Sequence, residues 1–314
     1  MCRIERRGRV LQLGTLLILA TLSLIAQLPA QTSGGAGEGP LELTSGLGRQ
    51  LFALPDDQTV IDARKSLAAD PKSVDRVLKL SQAEAARRQY IEAVATSTQG
   101  LAFAPGNADL YLERGHRELG LREFKPALED LEEATRLAPD MPDAHYHLGL
   151  AHYFQGDFKE AAVSFGRARA LAKSDDSLID CTNWLYVSLR RAGNEQEAAQ
   201  ALARITPDVK NTEPHLYFYL RLLRFYQGRL TEGAVLPRPA GRGDVEGELS
   251  FDTVGYGVGN WHVYHGDRSD AIGLFRNVVK GEAWNSWGFI GSEVELVRMG
   301  AVGTDAGKPY HNAQ

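Results

Sequence analysis

The strongest constraint on this chain is a repeat of 34 residues. Pro105 and Pro139 are 34 apart, Gly115 and Gly149 are 34 apart, and Ala93, Ala127 and Ala161 climb by the same step. The segment Glu123-Phe124-Lys125-Pro126-Ala127 returns as Asp157-Phe158-Lys159-Glu160-Ala161. Concordant ladders at one such period mark stacked units that cannot bury their apolar faces singly. From about Val60 the chain is rich in Ala, Leu, Glu and Arg. No alternating strand-like run of useful length follows, so the units are expected to be helix pairs and the fold all-α.

Helix pairs of this kind need small residues where the helices cross. Gly115 and Gly149 supply them on first helices, and Ala127, Ala134, Ala161 and Ala168 on second helices, with Leu131, Leu148 and Phe165 filling the seams. Gly156, Gly193, Gly228 and Gly266 are placed to close first helices in the left-handed conformation. Pro105 and Pro139 stop second helices, because proline cannot continue the hydrogen-bond ladder.

These residues resemble the tetratricopeptide repeat family. The fullest unit runs from Pro142 to Lys173, with Leu148-Gly149, Tyr153, Gly156, Phe158, Ala161, Phe165 and Ala168 in order. The unit from Ala108 to Met141 keeps Gly115, Phe124, Ala127, Ala134 and Pro139. Residues 74–107 keep Leu80, Ala93, Gly100 and Pro105 but carry Arg88 where a turn glycine is common. Residues 179–212 keep Gly193 and Ala198, while Tyr186 replaces the usual small residue and should force a local repacking. Residues 57–73 read as a lone edge helix. A first helix over 214–230 ends at Gly228, then Pro237, Pro239, Gly241, Gly243 and Gly247 break the pattern until about Asp252. Gly259, Gly266, Ala271 and Phe275 then resume it, and a helix near Ser286–Arg298 is expected to cap the stack. The resemblance implies a right-handed helix-pair solenoid of roughly five to six repeats with a C-terminal capping helix. It spans 57–298, with a loop insertion at 233–250 and a tail at 299–314.

Ahead of the repeats, residues 1–30 read as a secretory signal peptide. Arg3, Arg6, Arg7 and Arg9 precede an apolar run from Val10 to Ala26, and Leu28-Pro29-Ala30 offers a small residue before a cut. The run falls short of the ~20 residues of a spanning helix, which disfavours an uncleaved anchor. Export to the periplasm or beyond is therefore expected, with no stable membrane span after cleavage. Six glycines, Gly34, Gly35, Gly37, Gly39, Gly46 and Gly48, make 31–56 a flexible leader. Cys2 would leave with the signal, so Cys181 has no partner for an internal disulfide and reads as a small buried hydrophobe. The formal charge is -5; residues 1–30 contribute +3 (four Arg against Glu5), leaving -8 on the rest. An acidic body argues against nonspecific nucleic-acid binding.

No Walker loop, nucleophile elbow or zinc-protease helix motif occurs. Gly255-Tyr256-Gly257-Val258-Gly259 has no preceding strand and is better explained by helix contacts. His145, His147 and His152 share a helix, but His145 and His152 stand about 10 Å apart along it. His262 and His265 lack an evident third ligand, so no metal site and no cofactor are expected.

The informative surface is the one that first helices turn inward. The register places there Asp109, Leu112 and His116, then Asp143, Tyr146, Leu150, Tyr153 and Phe154. Asp180, Asn183, Val187, Arg190 and Arg191 follow, then His215, Phe218, Leu222, Phe225 and Tyr226, and finally Tyr256, Asn260 and Tyr264. An aromatic and apolar groove with a few charges suits a peptide or partner helix. The leading expectation is a non-enzymatic exported scaffold binding a protein partner there. The alternatives are a hydrolase or small-ligand protein with a site around 231–265, and a structural subunit whose groove is permanently filled. The first alternative requires two or more ionisable groups of that region in one enclosed pocket.

Overall fold

A computed structural model describes residues 39–213, 216–237 and 245–302. The expected signal at 1–30, most of the tail, and His215 lie outside the described residues. Helix α1 (Gln58–Ala69) precedes the pairs α2/α3 (Val74–Ala86, Tyr90–Phe103), α4/α5 (Ala108–Gly120, Phe124–Leu137) and α6/α7 (Pro142–Gln155, Phe158–Ala170). Then come α8/α9 (Asp175–Arg191, Glu195–Ala203), α10/α11 (Leu216–Tyr226, Glu232–Val235) and α12/α13 (Val245–His265, Arg268–Val278), followed by α14 (Trp287–Arg298). Among the described residues no helix is long and apolar enough to cross a membrane.

Close helix approach is set by glycine and alanine. A methyl group at Gly115, Gly149 or Gly259 would fall 2.8, 2.8 or 2.5 Å from Leu131, Phe165 or Phe275, always the side chain sixteen positions later. Ala127, Ala134, Ala161 and Ala168 are fully buried opposite them. The three glycines of 255–259 sit on α12 and admit Val278, Leu222 and Phe275. At Tyr186, where a repacking was expected, the ring is buried and stacks on Tyr226, centroids 4.6 Å apart.

The turns between paired helices pass through the left-handed region. Gly156, Gly193, Gly228 and Gly266 have φ of 96°, 76°, 70° and 89°. Arg88 and Arg122 hold the same place at 58° and 64°. An ordinary side chain there is strained. Both are offset by contacts to the C-terminal region. Arg88 donates to the Glu282 carbonyl at 3.0 Å. Arg122 donates to the Trp284 carbonyl at 2.9 Å and pairs with Glu293 at 2.9 Å.

Two sequence boundaries need correction. The flexible leader is, from Gly39 onward, an ordered hairpin of β1 (Leu41–Thr44) and β2 (Gln50–Phe52), antiparallel. Its strands are too short for a periodicity signal, and distant groups hold it. Arg49 donates to the Val279 and Gly281 carbonyls at 3.0 and 2.7 Å, the Gly46 amide donates to Glu293 at 2.6 Å, and the Ile91 amide to Glu42 at 3.0 Å. The 233–250 insertion is also narrower than expected. Helix α12 starts at Val245 rather than near Asp252, because Glu246, Glu248 and Leu249 carry helix through Gly247. The second helix of that unit does shrink, to the four residues of α11.

Candidate partner-binding cavity

The first helices α4, α6, α8 and α10 do face inward, but much of what they face is the chain's own C-terminal region. Asn260 on α12 donates to the Tyr153 hydroxyl, and Trp184 packs 6.0 Å from Tyr256. Trp287, the first residue of α14, lies 5.4 Å from His116, 6.1 Å from His147 and 6.1 Å from Phe154. Arg191 bridges Glu295 at 2.9 Å and Asn260 at 2.9 Å, and Arg298 donates to the Phe154 carbonyl at 3.1 Å. Helix α14 therefore does more than cover an end, which was its expected task. It crosses back over α4, α6 and α8. A buried pair such as Arg191–Glu295 holds only when its remaining bonding capacity is met, as Asn260 and Arg298 do here.

The sequence-derived groove residues divide accordingly. Leu150, Tyr153, Phe154, Asn183 and Leu222 are buried and offer no surface to a partner. The register put them on the inner face, and the returning helices convert that face into core. Arg190 is half-buried with its guanidinium over Tyr264 at 4.4 Å, and Tyr226 is half-buried against Tyr186. Leu112 packs against the main core. Asp109 and Asp143 are exposed. Tyr146 is half-buried and donates to Asp180 at 3.0 Å.

What stays open is a cavity of about 920 Å³ between α2, α4, α10, α12 and the start of α14. Two groove residues, His116 and Phe218, line it, together with Tyr90, Tyr219, Leu249 and Trp287. Arg117, Glu246 and Asn285 add charged and polar groups. The wall is thus aromatic, with a cation and a carboxylate on it. The His116 ring lies against that of His147, centroids 4.1 Å apart and tilted by 39°. Both rings touch solvent yet are enclosed by helices, and burial holds His116 well below the usual imidazole range, with His147 adding like charge. Burial lowers His147 as well. Burial likewise pushes Asp180 up to about 7 despite the bond from Tyr146. The site therefore presents neutral imidazoles at neutral pH.

Sequence reasoning missed Tyr90, Tyr219, Leu249 and Trp287. A signal existed for Trp287, since Ser286 before it is a good N-cap; its hydroxyl accepts from the Phe289 amide at 3.1 Å. The other three join only through the return of α12, which the period does not encode. The His152 Nδ1 is buried without a hydrogen-bond partner among the described residues. The His145 and His265 rings bond to the Pro139 and Trp261 carbonyls at 2.8 and 2.7 Å. His262 is buried between Glu232 at 3.0 Å and Asp267 at 3.5 Å. Cys181 is buried and its thiol is pushed far up by burial.

The tetratricopeptide repeat family matches residues 112–176. No curated protein matches the chain. Among solved structures, MamA shares 21% identity at a TM-score of 0.41, over 46% of this chain and 78% of its own. YrrB, described as a TPR protein with an unusual peptide-binding site, shares 15% at 0.42, over 67% and 95%. A tetratricopeptide repeat protein from Parabacteroides merdae shares 14% at 0.47, over 76% and 91%.

Proposed function

We propose that this chain, with tetratricopeptide repeats over residues 112–176, is a non-enzymatic scaffold that seats a peptide segment of a partner protein. The carrying observation is the 920 Å³ aromatic cavity left open between α4, α10 and α14. Rigid aromatic walls with a few placed charges suit anchor side chains. We propose further that it works outside the cytoplasm, on the strength of the signal-like residues 1–30; mature protein should then begin near Gln31.

The hydrolase or small-ligand reading has one feature in its favour, the carboxylates on either side of His262. The region 231–265 contributes a single ionisable group, Glu246, to the open cavity. The test uses Leu249→Glu, at a cavity-lining residue that is 40% exposed and so free of core duties. Capture of a partner from an envelope extract should fail with this variant while its melting midpoint stays unchanged. Equal capture by both proteins would rule out the cavity as the recognition site.

A further inference from the structure

The outer surface carries a second feature. The ladder Ala93, Ala127, Ala161 climbs by 34, but the next rung, Ala198, comes 37 residues later. Helix α8 takes up the extra length, with 17 residues against 13 in α4 and 14 in α6. Two adjoining hollows of about 880 and 650 Å³ lie here, walled by α7, α8 and α9 and by the turn that leads into α8. The larger has an apolar floor of Leu185, Leu189 and Ala201, and at its rim Val163 is 74% exposed.

Its charges are the unusual part. Both hollows are lined by Arg169 and Arg204, with Lys159 in one and Lys173 in the other. Among the described residues none of these four side chains has an ion pair or hydrogen-bond partner. Arg204, Lys159 and Lys173 are exposed, but Arg169 is half-buried, and the half-buried Arg114, Arg117, Arg122 and Arg191 elsewhere are matched to Asp130, Glu113, Glu293 and Glu295. The carboxylates present are Glu197 in the larger hollow and Asp175 in the smaller, which already accepts from the Lys210 amide at 3.1 Å. A cation in the last turn of a helix is ordinary. Two arginines from different helices sharing one hollow, with no carboxylate bonded to either, are not. The Arg169 Nη1 is also buried without an acceptor, a state that costs free energy until an acceptor arrives. Burial and the neighbouring Arg204 charge both weaken the hold of Arg169 on its proton.

We propose that the cleft between α7 and α9 is a docking site for an acidic, amphipathic peptide segment of a partner protein. Its apolar side chains would lie on Leu185, Leu189 and Val163. Its carboxylates would supply the acceptors that Arg169 and Arg204 lack, in the bidentate geometry that guanidinium favours. The chain is acidic overall, at -5, so this basic cleft is complementary to such a segment where the general surface repels it.

The test is selection from a random dodecapeptide display library on the full chain, followed by anisotropy titration of a labelled enriched peptide. Sequences combining Asp or Glu with Leu, Ile or Phe should dominate. Arg169→Glu combined with Arg204→Glu should weaken the enriched peptide at least tenfold, and so should raising salt from low to high ionic strength. Arg204→Gln, which relieves repulsion without adding charge, should leave the melting midpoint unchanged or higher and still weaken binding, which separates loss of the site from loss of the fold. Leu249→Glu should bind the peptide normally, so the outcome is independent of the inner cavity. Enrichment of non-acidic sequences, no enrichment at all, or equal affinity in the charge-reversed protein would overturn the proposal.

Discussion

Two glycines in one repeat should respond in opposite directions to the same substitution. Gly149 lies on α6, and a methyl group there would stand 2.8 Å from three carbons of the Phe165 ring. That ring has nowhere to go. It is fully buried, stacks on Trp184 at 5.9 Å and meets Tyr146 edge-on at 5.6 Å. Gly166 lies on α7, one residue after Phe165, and a methyl group there meets nothing within 4 Å. Replacing glycine by alanine inside a helix contributes about 0.8–1 kcal/mol of stability through the backbone. That gain is common to both sites. The difference between Gly149→Ala and Gly166→Ala therefore isolates the forced contact, about 1–3 kcal/mol for overpacking a tight interior. Gly166→Ala should be the more stable of the two and should exceed the parent; Gly149→Ala should fall below it. Urea unfolding followed by far-ultraviolet circular dichroism, with a shared slope for the three proteins, gives the difference from the midpoints. Equal stability of the two variants would refute the close crossing of α6 and α7 at Gly149, and with it the rule that the sixteen-residue offset sets the pairing.

Arg122→Ala should cost about 3–5 kcal/mol, because it strands the Glu293 carboxylate in the interior, and the further change Glu293→Gln should recover part of the loss in the same unfolding assay. Burial pushes Asp252 and Asp180 to about 7 and Glu118 to about 8, from ordinary values of 3.8, 3.8 and 4.5. Above about pH 6.5, where histidines of the unfolded chain are at most half protonated, the folded state retains at these carboxyls protons that the unfolded chain has released. Stability should therefore fall as pH rises from about 6.5 to 8, and Glu118→Gln should flatten that fall in calorimetric melts. Tyr153→Ala should lower the melting midpoint sharply, since the ring is 1% exposed, whereas Asp143→Ala on the same helix should leave it within about 1–2 °C of the parent, as exposed positions do.

The repeat was legible because its signals are local and recur. Pro105 and Pro139, the crossing glycines and the turn glycines each report on a few neighbouring residues, and the structure places them where the period requires. Tyr186 and Arg88 were legible as departures, though not what they do: Tyr186 stacks on Tyr226 and Arg88 reaches Glu282. The inner face was legible only in part. Tyr153 and Phe154, expected on that face, are buried against Trp184. The period carries no information on what returns to meet them, and α12 and α14 come back from more than 100 residues away, as Asn260 to Tyr153 shows. The hairpin at 41–52 escaped for a related reason. Its strands of four and three residues are stabilised by Arg49 and Glu293 contacts spanning over 200 positions, which no local window contains.

The bond from the Gly46 amide to Glu293 joins the first described element to the last, and those from Arg49 to Val279 and Gly281 join it to the end of α13. An open stack of repeats melts from its ends, and its stability is close to a sum of nearest-neighbour terms. Here the ends are latched to one another and to the middle through Arg122, Arg191 and Arg298. Terminal fraying requires breaking the latch first. The outermost helix α14 should then share the slow amide exchange of α6, and deleting it should bring down the whole array instead of shortening it by one step. The latch also opposes the spring-like lengthening available to open solenoids, so the cavity has a width set by the protein and not by whatever enters it.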